Sequence, residues 1–552
     1  MERKPKGPGV LESVSRRRLL QLGVAGAALL GRESGAAPDA GGADARAAEA
    51  SRIGSLDEVT LDALQARMAN GEETSGAITQ KYLDRIAQRD GRVRSVLEVN
   101  PDALAQAETL DRERKAGKVR GPLHGIPVLL KDNIATKDRM HTTAGSLALL
   151  DAVVPADAFL VGRLRDAGVV LLGKTQLSEW ANLRSSHSSS GWSGRGSQCR
   201  NAYALDRSPS GSSSGSGVAV SANLCAVAVG TETDGSIVSP SAASALVGVK
   251  PTVGLVSRSG VIPISHSQDT AGPMARTVRD AALLLEVLGG RDPADAATTA
   301  RGARFDVRYT ASLDRGALKG ARIGVPRTKY FGDHPATDAL AEDALKLLRS
   351  EGAILIDPAP IATAAKMDEP EFEVLLYEFK ADLNAYLARL GGPGPRTLNA
   401  LIEWNQAHAD TEMPLFGQEL FIDAEKKGPL TSAGYRKARD ACVRLSRKDG
   451  IDATMDRYRL DALVAPTQGP AWLIDWVNGD SSSGGCSTPA AVAGYPHVTV
   501  PMGQVRGLPV GLSFFGRPWS EARLLALAYA YEQASKARKP PTFAATAIIP
   551  TG

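Results

Sequence analysis

Two hydrophobic rhythms alternate along this chain. Leu56, Val59, Leu61, Leu64 and Met68 recur every three or four positions, and Ser55 with Glu58 forms a capping box that predicts a helix starting there. Ile78, Tyr82, Leu83 and Ile86 predict a second amphipathic helix, and a third is predicted over about 101–115. The rhythm then shortens. Residues 126–130 and 169–172 are apolar runs bounded by Gly and Pro, which is how a strand buried on both faces reads. Residues 226–229, 246–249, 462–465, 498–500 and 510–515 repeat that pattern, with helical stretches between them. Such an alternation predicts an α/β fold in which helices cover both faces of a central mixed β-sheet.

Two windows depart from it. Residues 300–450 are charged and rich in helical pattern (337–350, 371–390 and 397–409), with few strand candidates. Sheet strands are predicted on both sides of this window, so the reading is one domain over 51–545 carrying a helix-rich insertion that shapes a cleft. The other window is 1–50. Ser15-Arg16-Arg17-Arg18-Leu19-Leu20 opens an apolar run to Leu30, and Ala and Gly dominate from there to Ala50. Paired arginines before a short, weakly apolar stretch predict a twin-arginine-type signal peptide, cleaved between 36 and 50, and too short for a stable membrane span. The expected location is periplasmic or secreted, with transient contact with the export machinery.

Composition narrows the class. Of 552 residues, 43% are hydrophobic and 23% charged, which suits a large globular core and excludes a disordered chain or a polytopic membrane protein. The net charge is +4, and the leader's eight basic and six acidic residues leave the remainder near +2. That balance offers no electrostatic basis for a nucleic-acid partner. The four cysteines show no C-x-x-C spacing and no H-E-x-x-H sequence occurs, so neither a metal nor a cofactor is expected.

Thirteen of the thirty-two residues from 185 to 216 are serine and five are glycine. On its own such richness describes a flexible linker. Here strand-like runs flank it, and Ser208-Pro209-Ser210-Gly211-Ser212-Ser213-Ser214-Gly215-Ser216-Gly217 leads into Val218-Ala219-Val220-Ser221-Ala222, a helix whose first N–H groups would face the loop. A second small-residue turn, Gly230-Thr231-Glu232-Thr233-Asp234-Gly235-Ser236-Ile237, follows the run 226–229. A serine on a tight turn after a strand, beside free N–H donors, is the pairing that acyl transfer requires. Phosphate-loop and dinucleotide fingerprints are absent. For a base, His124 and His266 lie near these segments without a recognisable triad pattern. Lys131, at the end of a buried run, would be desolvated toward neutrality or ion-paired with Asp132.

Taken together, these residues resemble the amidase signature family. The resemblance is carried by the block Gly121 to Asn133, by Gly173-Lys174-Thr175, by the Ser212 loop and by Thr233-Asp234-Gly235-Ser236-Ile237. It continues through Lys250 to Ser257, Asp269 to Met274, Pro496, Pro501 and Leu508 to Leu512, and covers about 55–543. It implies the family's fold and a Ser-cisSer-Lys triad: Lys131 as base, Ser212 as bridging serine on a cis peptide, and Ser236 as nucleophile. Backbone N–H groups of Thr233, Asp234, Gly235 and Ser236 would form the oxyanion hole. The chain departs from the family pattern at Ser210 and Ser214, at Asp234 where a glycine is usual, and at Val238 where arginine is common. The Glu232–Ser236 sequence is similar to that of bacterial peptide amidases. The implied activity is hydrolysis of C-terminal peptide amides or other small amides with release of ammonia. The alternatives are a glutaminase-like component of an amidotransferase, against which export argues, and a non-catalytic amide-binding protein.

Overall fold

A computed structural model describes residues 56–300, 302, 304–305 and 307–548. Its strands are β1 (Val96–Val99), β2 (Pro127–Lys131), β3 (Val170–Thr175), β4 (Trp192–Ser193), β5 (Ser197–Gln198), β6 (Val227–Glu232), β7 (Val247–Lys250), β8 (Thr270–Ala275), β9 (Arg322–Gly324), β10 (Ile354–Ile356), β11 (Ala462–Pro466), β12 (His497–Val505) and β13 (Leu508–Phe515). Among the described residues β4 and β5 form a small hairpin, and the rest form one eleven-stranded sheet in the order β1-β3-β2-β6-β8-β7-β12-β13-β11-β9-β10. It is mixed: β3, β2 and β6 run parallel, β6 to β11 alternate antiparallel, and β11, β9 and β10 are parallel again. Every residue of β2, β3, β6 and β7 is buried, so both faces of these strands are covered, as their unbroken apolar runs predict. The result is the mixed α/β architecture expected from the sequence.

Each strand predicted from an apolar run is present. Besides the β4–β5 hairpin, four strands of the large sheet were hidden. β1 is a half-exposed edge strand, and β8 carries Gly272 and Pro273 in its interior although it lies between β6 and β7. β9 and β10, three residues each, come from the helical window and extend the far edge of the sheet, so that window is not purely an appendage. The three helices expected in it are Pro335–Ser350, Asp368–Leu387 and Leu398–Ala407, within a few residues of expectation, and Glu419–Glu425 and Ala433–Val443 are among those not foreseen.

At the start of the chain the capping box is replaced. The helix is Leu61–Ala69, capped by Thr60, whose hydroxyl accepts the Ala63 N–H at 3.2 Å. Glu58 turns away with φ of 52° and pairs with Arg538 at 2.7 Å. Leu56 and Val59 are buried as expected, but in the turn before the helix. Ser55 and the predicted leader 1–50 lie outside the described residues.

Candidate active site

Because β3, β2 and β6 run in parallel, they end at one edge of the sheet. Lys131 is the last residue of β2, and the pairing of Leu130 with Val229 sets it beside the end of β6. The apolar residues before it carry the amine into the interior, where it is fully buried. Burial lowers the Lys131 pKa to about 7, with the Asp269 and Glu232 carboxylates opposing part of the shift. Asp132 is not its ion-pair partner. That carboxylate turns the other way, to Arg195 at 3.1 Å and to the Gly145 N–H at 3.2 Å.

Three oxygens surround the amine: Ser212 Oγ at 2.7 Å, Thr231 Oγ1 at 2.9 Å and Thr231 O at 3.2 Å. Asn133 Nδ2 donates to the same Thr231 hydroxyl at 2.9 Å. A neutral amine has two hydrogens and one lone pair. With its hydrogens donated to the two Thr231 oxygens, the lone pair is left for the Ser212 O–H.

The serine-rich segment is interior. Ser208, Ser210, Ser212, Ser213, Ser214 and Ser216 are each at most 2% exposed. Buried hydroxyls need partners, and those of Ser208, Ser213, Ser214 and Ser216 find main chain. Ser213 Oγ donates to Thr231 O and accepts from Thr231 N–H, capping β6 as a further strand would. Ser214 Oγ donates to Ser210 O, and Ser216 Oγ donates to Val229 O. The Gly211–Ser212 peptide bond is cis. A side chain at Gly215 would collide with the main chain of Ser95 and Gln176, so glycine is required where the Ser214–Ser221 helix begins.

Ser236 lies on the turn after β6. Its carbonyl accepts the Ser213 N–H at 3.1 Å, which docks the turn on the serine loop. The tie is through main chain; among the described residues no hydrogen bond joins the Ser236 and Ser212 hydroxyls. Gly235, with φ of +79°, makes the turn possible. The N–H groups of Thr233, Asp234, Gly235 and Ser236 donate to no other group among the described residues, whereas the next two, of Ile237 and Val238, are taken by Glu232 Oε2 at 2.8 and 3.0 Å. Four free donors next to a serine hydroxyl form a ready anion site. Asp234 and Gly235 also border a cavity of 570 Å³ lined by Ser239, Gln468, Ser487 and Thr488.

These features coincide with an independent likeness. A model of the amidase family matches residues 77–525. The chain belongs to the amidase signature family. It is 53% identical to the peptide amidase of Stenotrophomonas maltophilia, over 88% of this chain and 99% of that one, with a TM-score of 0.85. An Arabidopsis thaliana protein described as a probable amidase is 42% identical, covering 89% of this chain and 93% of its own. An amidase family protein of Bacillus anthracis is 36% identical over 90% of this chain and 94% of its own, with a TM-score of 0.80.

The protein is thus an amidase, a hydrolase of amide bonds. Several residues that build its site were not singled out from sequence. Thr231 and Asn133 orient the amine, Ser213 anchors the serine loop, and Glu232 organises the start of the Val238–Ala243 helix behind Ser236. Thr231 and Glu232 stood in the quoted turn, and a polar pair closing a buried strand was the available signal. Neither histidine takes part. His124 Nε2 lies 3.0 Å from Leu110 O, ahead of β2, whereas Lys131 ends that strand. His266 has Asp382 Oδ2 2.8 Å from Nδ1 and Glu378 Oε1 3.3 Å from Nε2. This trio is the one His/Cys/Asp/Glu group among the described residues close enough to hold a metal, yet an imidazolium between two carboxylates accounts for it fully. All four cysteines are free and buried.

Proposed function

We propose that this amidase removes ammonia from C-terminal peptide amides and related small amides through an acyl-enzyme on Ser236. The observation that carries the reading is the fully buried Lys131 amine, with Ser212 Oγ 2.7 Å away and the two Thr231 oxygens at 2.9 and 3.2 Å; in its neutral form the amine can give its hydrogens to Thr231 and turn its lone pair to the Ser212 O–H. In this mechanism Ser236 Oγ attacks the amide carbon as its proton passes to Ser212 Oγ and the Ser212 proton passes to Lys131. The contact between the two serine hydroxyls forms as substrate enters. The oxyanion is held by the free N–H groups of residues 233–236, each such donor typically worth about 3 kcal/mol of barrier lowering. The relay then reverses, the leaving nitrogen takes a proton and departs, and water enters to hydrolyse the ester by the same route. Likeness to the Stenotrophomonas peptide amidase supports the substrate class.

The twin-arginine pattern at Arg16–Arg18 supports export to the periplasm or beyond, which suits a peptide substrate. No helix among the described residues is long and apolar enough to cross a membrane.

The test is ammonia release by the purified protein from peptide amides, amino-acid amides, aliphatic amides and aryl amides. The reading expects peptide amides to give the highest kcat/KM. Preference for simple aliphatic or aryl amides overturns the substrate class, and a fluorophosphonate that labels a residue other than Ser236 overturns the nucleophile. A reporter fused behind residues 1–50 should reach the periplasm, and Arg16→Lys with Arg17→Lys and Arg18→Lys should retain it in the cytoplasm.

A further inference from the structure

Asp234 stands inside the loop that supplies the oxyanion donors. Its side chain is not turned to solvent. Thr488 Oγ1 donates to Asp234 Oδ2 at 2.8 Å, and Asp234 Oδ1 is shielded with no donor of its own. The Ser487 hydroxyl and the Glu371 carboxyl group also act on this carboxylate, Glu371 being delivered by the Asp368–Leu387 helix of the helical insertion and 7% exposed. Gln268 joins the same contact: its Nε2 lies 2.8 Å from Glu371 Oε1 and 3.4 Å from Thr233 O. The loop carrying four unoccupied N–H groups is therefore gripped from one side by a helix of the insertion. Two carboxyl groups in contact hold together only while one carries a proton that it donates to the other.

We propose that Asp234 and Glu371 are positioning residues, their shared-proton hydrogen bond clamping the 233–236 loop with its N–H groups turned to the reacting carbonyl. The proposal rests on the reading of that loop as the oxyanion hole. Burial raises the Glu371 pKa well above the usual carboxylate range and Asp234 opposite it adds to the shift, the direction that favours a retained proton. Other titratable groups facing the pair are Lys250, Glu232, Tyr330 and Cys486 around Asp234, and Asp368 and Cys442 around Glu371. Lys250, fully buried, is the cation among them. As pH rises past the point where the pair loses its proton, two carboxylates repel and the loop loosens. Activity should then fall on the alkaline side, opposite to the Lys131 limb.

The test compares Glu371→Leu and Glu371→Gln with the wild type. The glutamine keeps an oxygen for Gln268 and offers a permanent donor to Asp234. Glu371→Leu should lower kcat by about ten- to a hundredfold with KM little changed, because the lost contacts act in the transition state. Glu371→Gln should keep kcat within about twofold of wild type at neutral pH and move the alkaline limb upward. Hydrogen–deuterium exchange over residues 231–238 should accelerate in the leucine variant and not in the glutamine variant, a readout independent of turnover. Equal exchange and equal pH profiles in all three proteins overturn the clamp while leaving the amidase reading intact. Failed wild-type labelling at Ser236 sinks that reading, and the exchange result still judges the clamp. If the leucine variant does not fold, a glutamine variant whose alkaline limb stays in the wild-type position overturns the proposal alone.

Discussion

The end of β2 and β6 and the seam between the sheet and the Asp368–Leu387 helix both touch the 233–236 loop, but they are built from different materials. At the sheet edge one amine is surrounded by neutral oxygens, Ser212 Oγ and the hydroxyl and carbonyl of Thr231, within strands buried on every side. At the seam the contacts are ionisable: Glu371 against Asp234, and Glu378 and Asp382 against His266. Neutral partners leave the amine's own desolvation as the dominant influence on its protonation, so the edge sets the chemistry. Ionisable partners make the seam's strength depend on pH. A helix pinned by protons can adjust the loop it grips without altering the base.

The largest effects should come from the edge. Ser236→Ala is expected to lower kcat by about four to six orders of magnitude, and Lys131→Ala by a similar amount, while both melt as folded proteins. Near-wild-type ammonia release in either would dissolve the distinction, since the chemistry would then lie elsewhere. For the wild type, protonated Lys131 cannot accept the Ser212 proton. Its pKa of about 7 therefore places a rising limb in kcat/KM near neutrality, with activity lost as pH falls below it. A plateau already complete at pH ~5 would exclude this lysine as the base.

A smaller effect sharpens the contrast. Thr231→Val keeps the carbonyl near Lys131 and removes the hydroxyl that takes one amine hydrogen. Losing that aim should reduce kcat by about ten- to a hundredfold. Acceptors favour ammonium over amine, so removing one lowers the Lys131 pKa further and moves the rising limb to lower pH. Slower turnover with an acid-shifted limb is a signature that a mere packing defect does not give; a slower variant with its limb unmoved would show that Thr231 only fills space.

How much of this could be read from the chain follows the same division. The buried strands were legible because an interior strand needs an unbroken apolar run, and Lys131 stood out by ending one. Ser212 and Ser236 came from motif likeness, with composition alone favouring a linker. What stayed hidden depends on pairing across long separations. Glu371 meets Asp234 from 137 positions away, and nothing local distinguishes it from Glu369 or Glu373 on the same helix. Thr231 is an ordinary strand-end threonine until β2 is laid beside β6. β8 was invisible because its interior Gly272 and Pro273 read as a turn, yet its neighbours supply the hydrogen bonds and burial that a lone propensity argument cannot anticipate.

The smallest expected effect tests whether the seam is pH-dependent beyond the clamp itself. His266 is half exposed; burial pulls its pKa down, but Asp382 and Glu378 outweigh this and raise it. A group whose folded pKa is raised contributes its full stability below the unfolded value and loses it as pH rises through the folded one. His266→Ala should therefore lower Tm by about one to two degrees near pH 6, with the difference fading as pH rises above neutrality, since a solvent-screened pair contributes little. Turnover should change by less than about twofold, because Asp269, which receives the Thr233 hydroxyl at 2.6 Å, also keeps the N–H groups of Ile264 and Ser265 at 2.7 and 2.9 Å. A Tm deficit that is the same at pH 6 and pH 9 would mean that His266 acts through packing alone. Ionisation at the seam would then be confined to Asp234 and Glu371, where it bears on catalysis and not on holding the helix to the sheet.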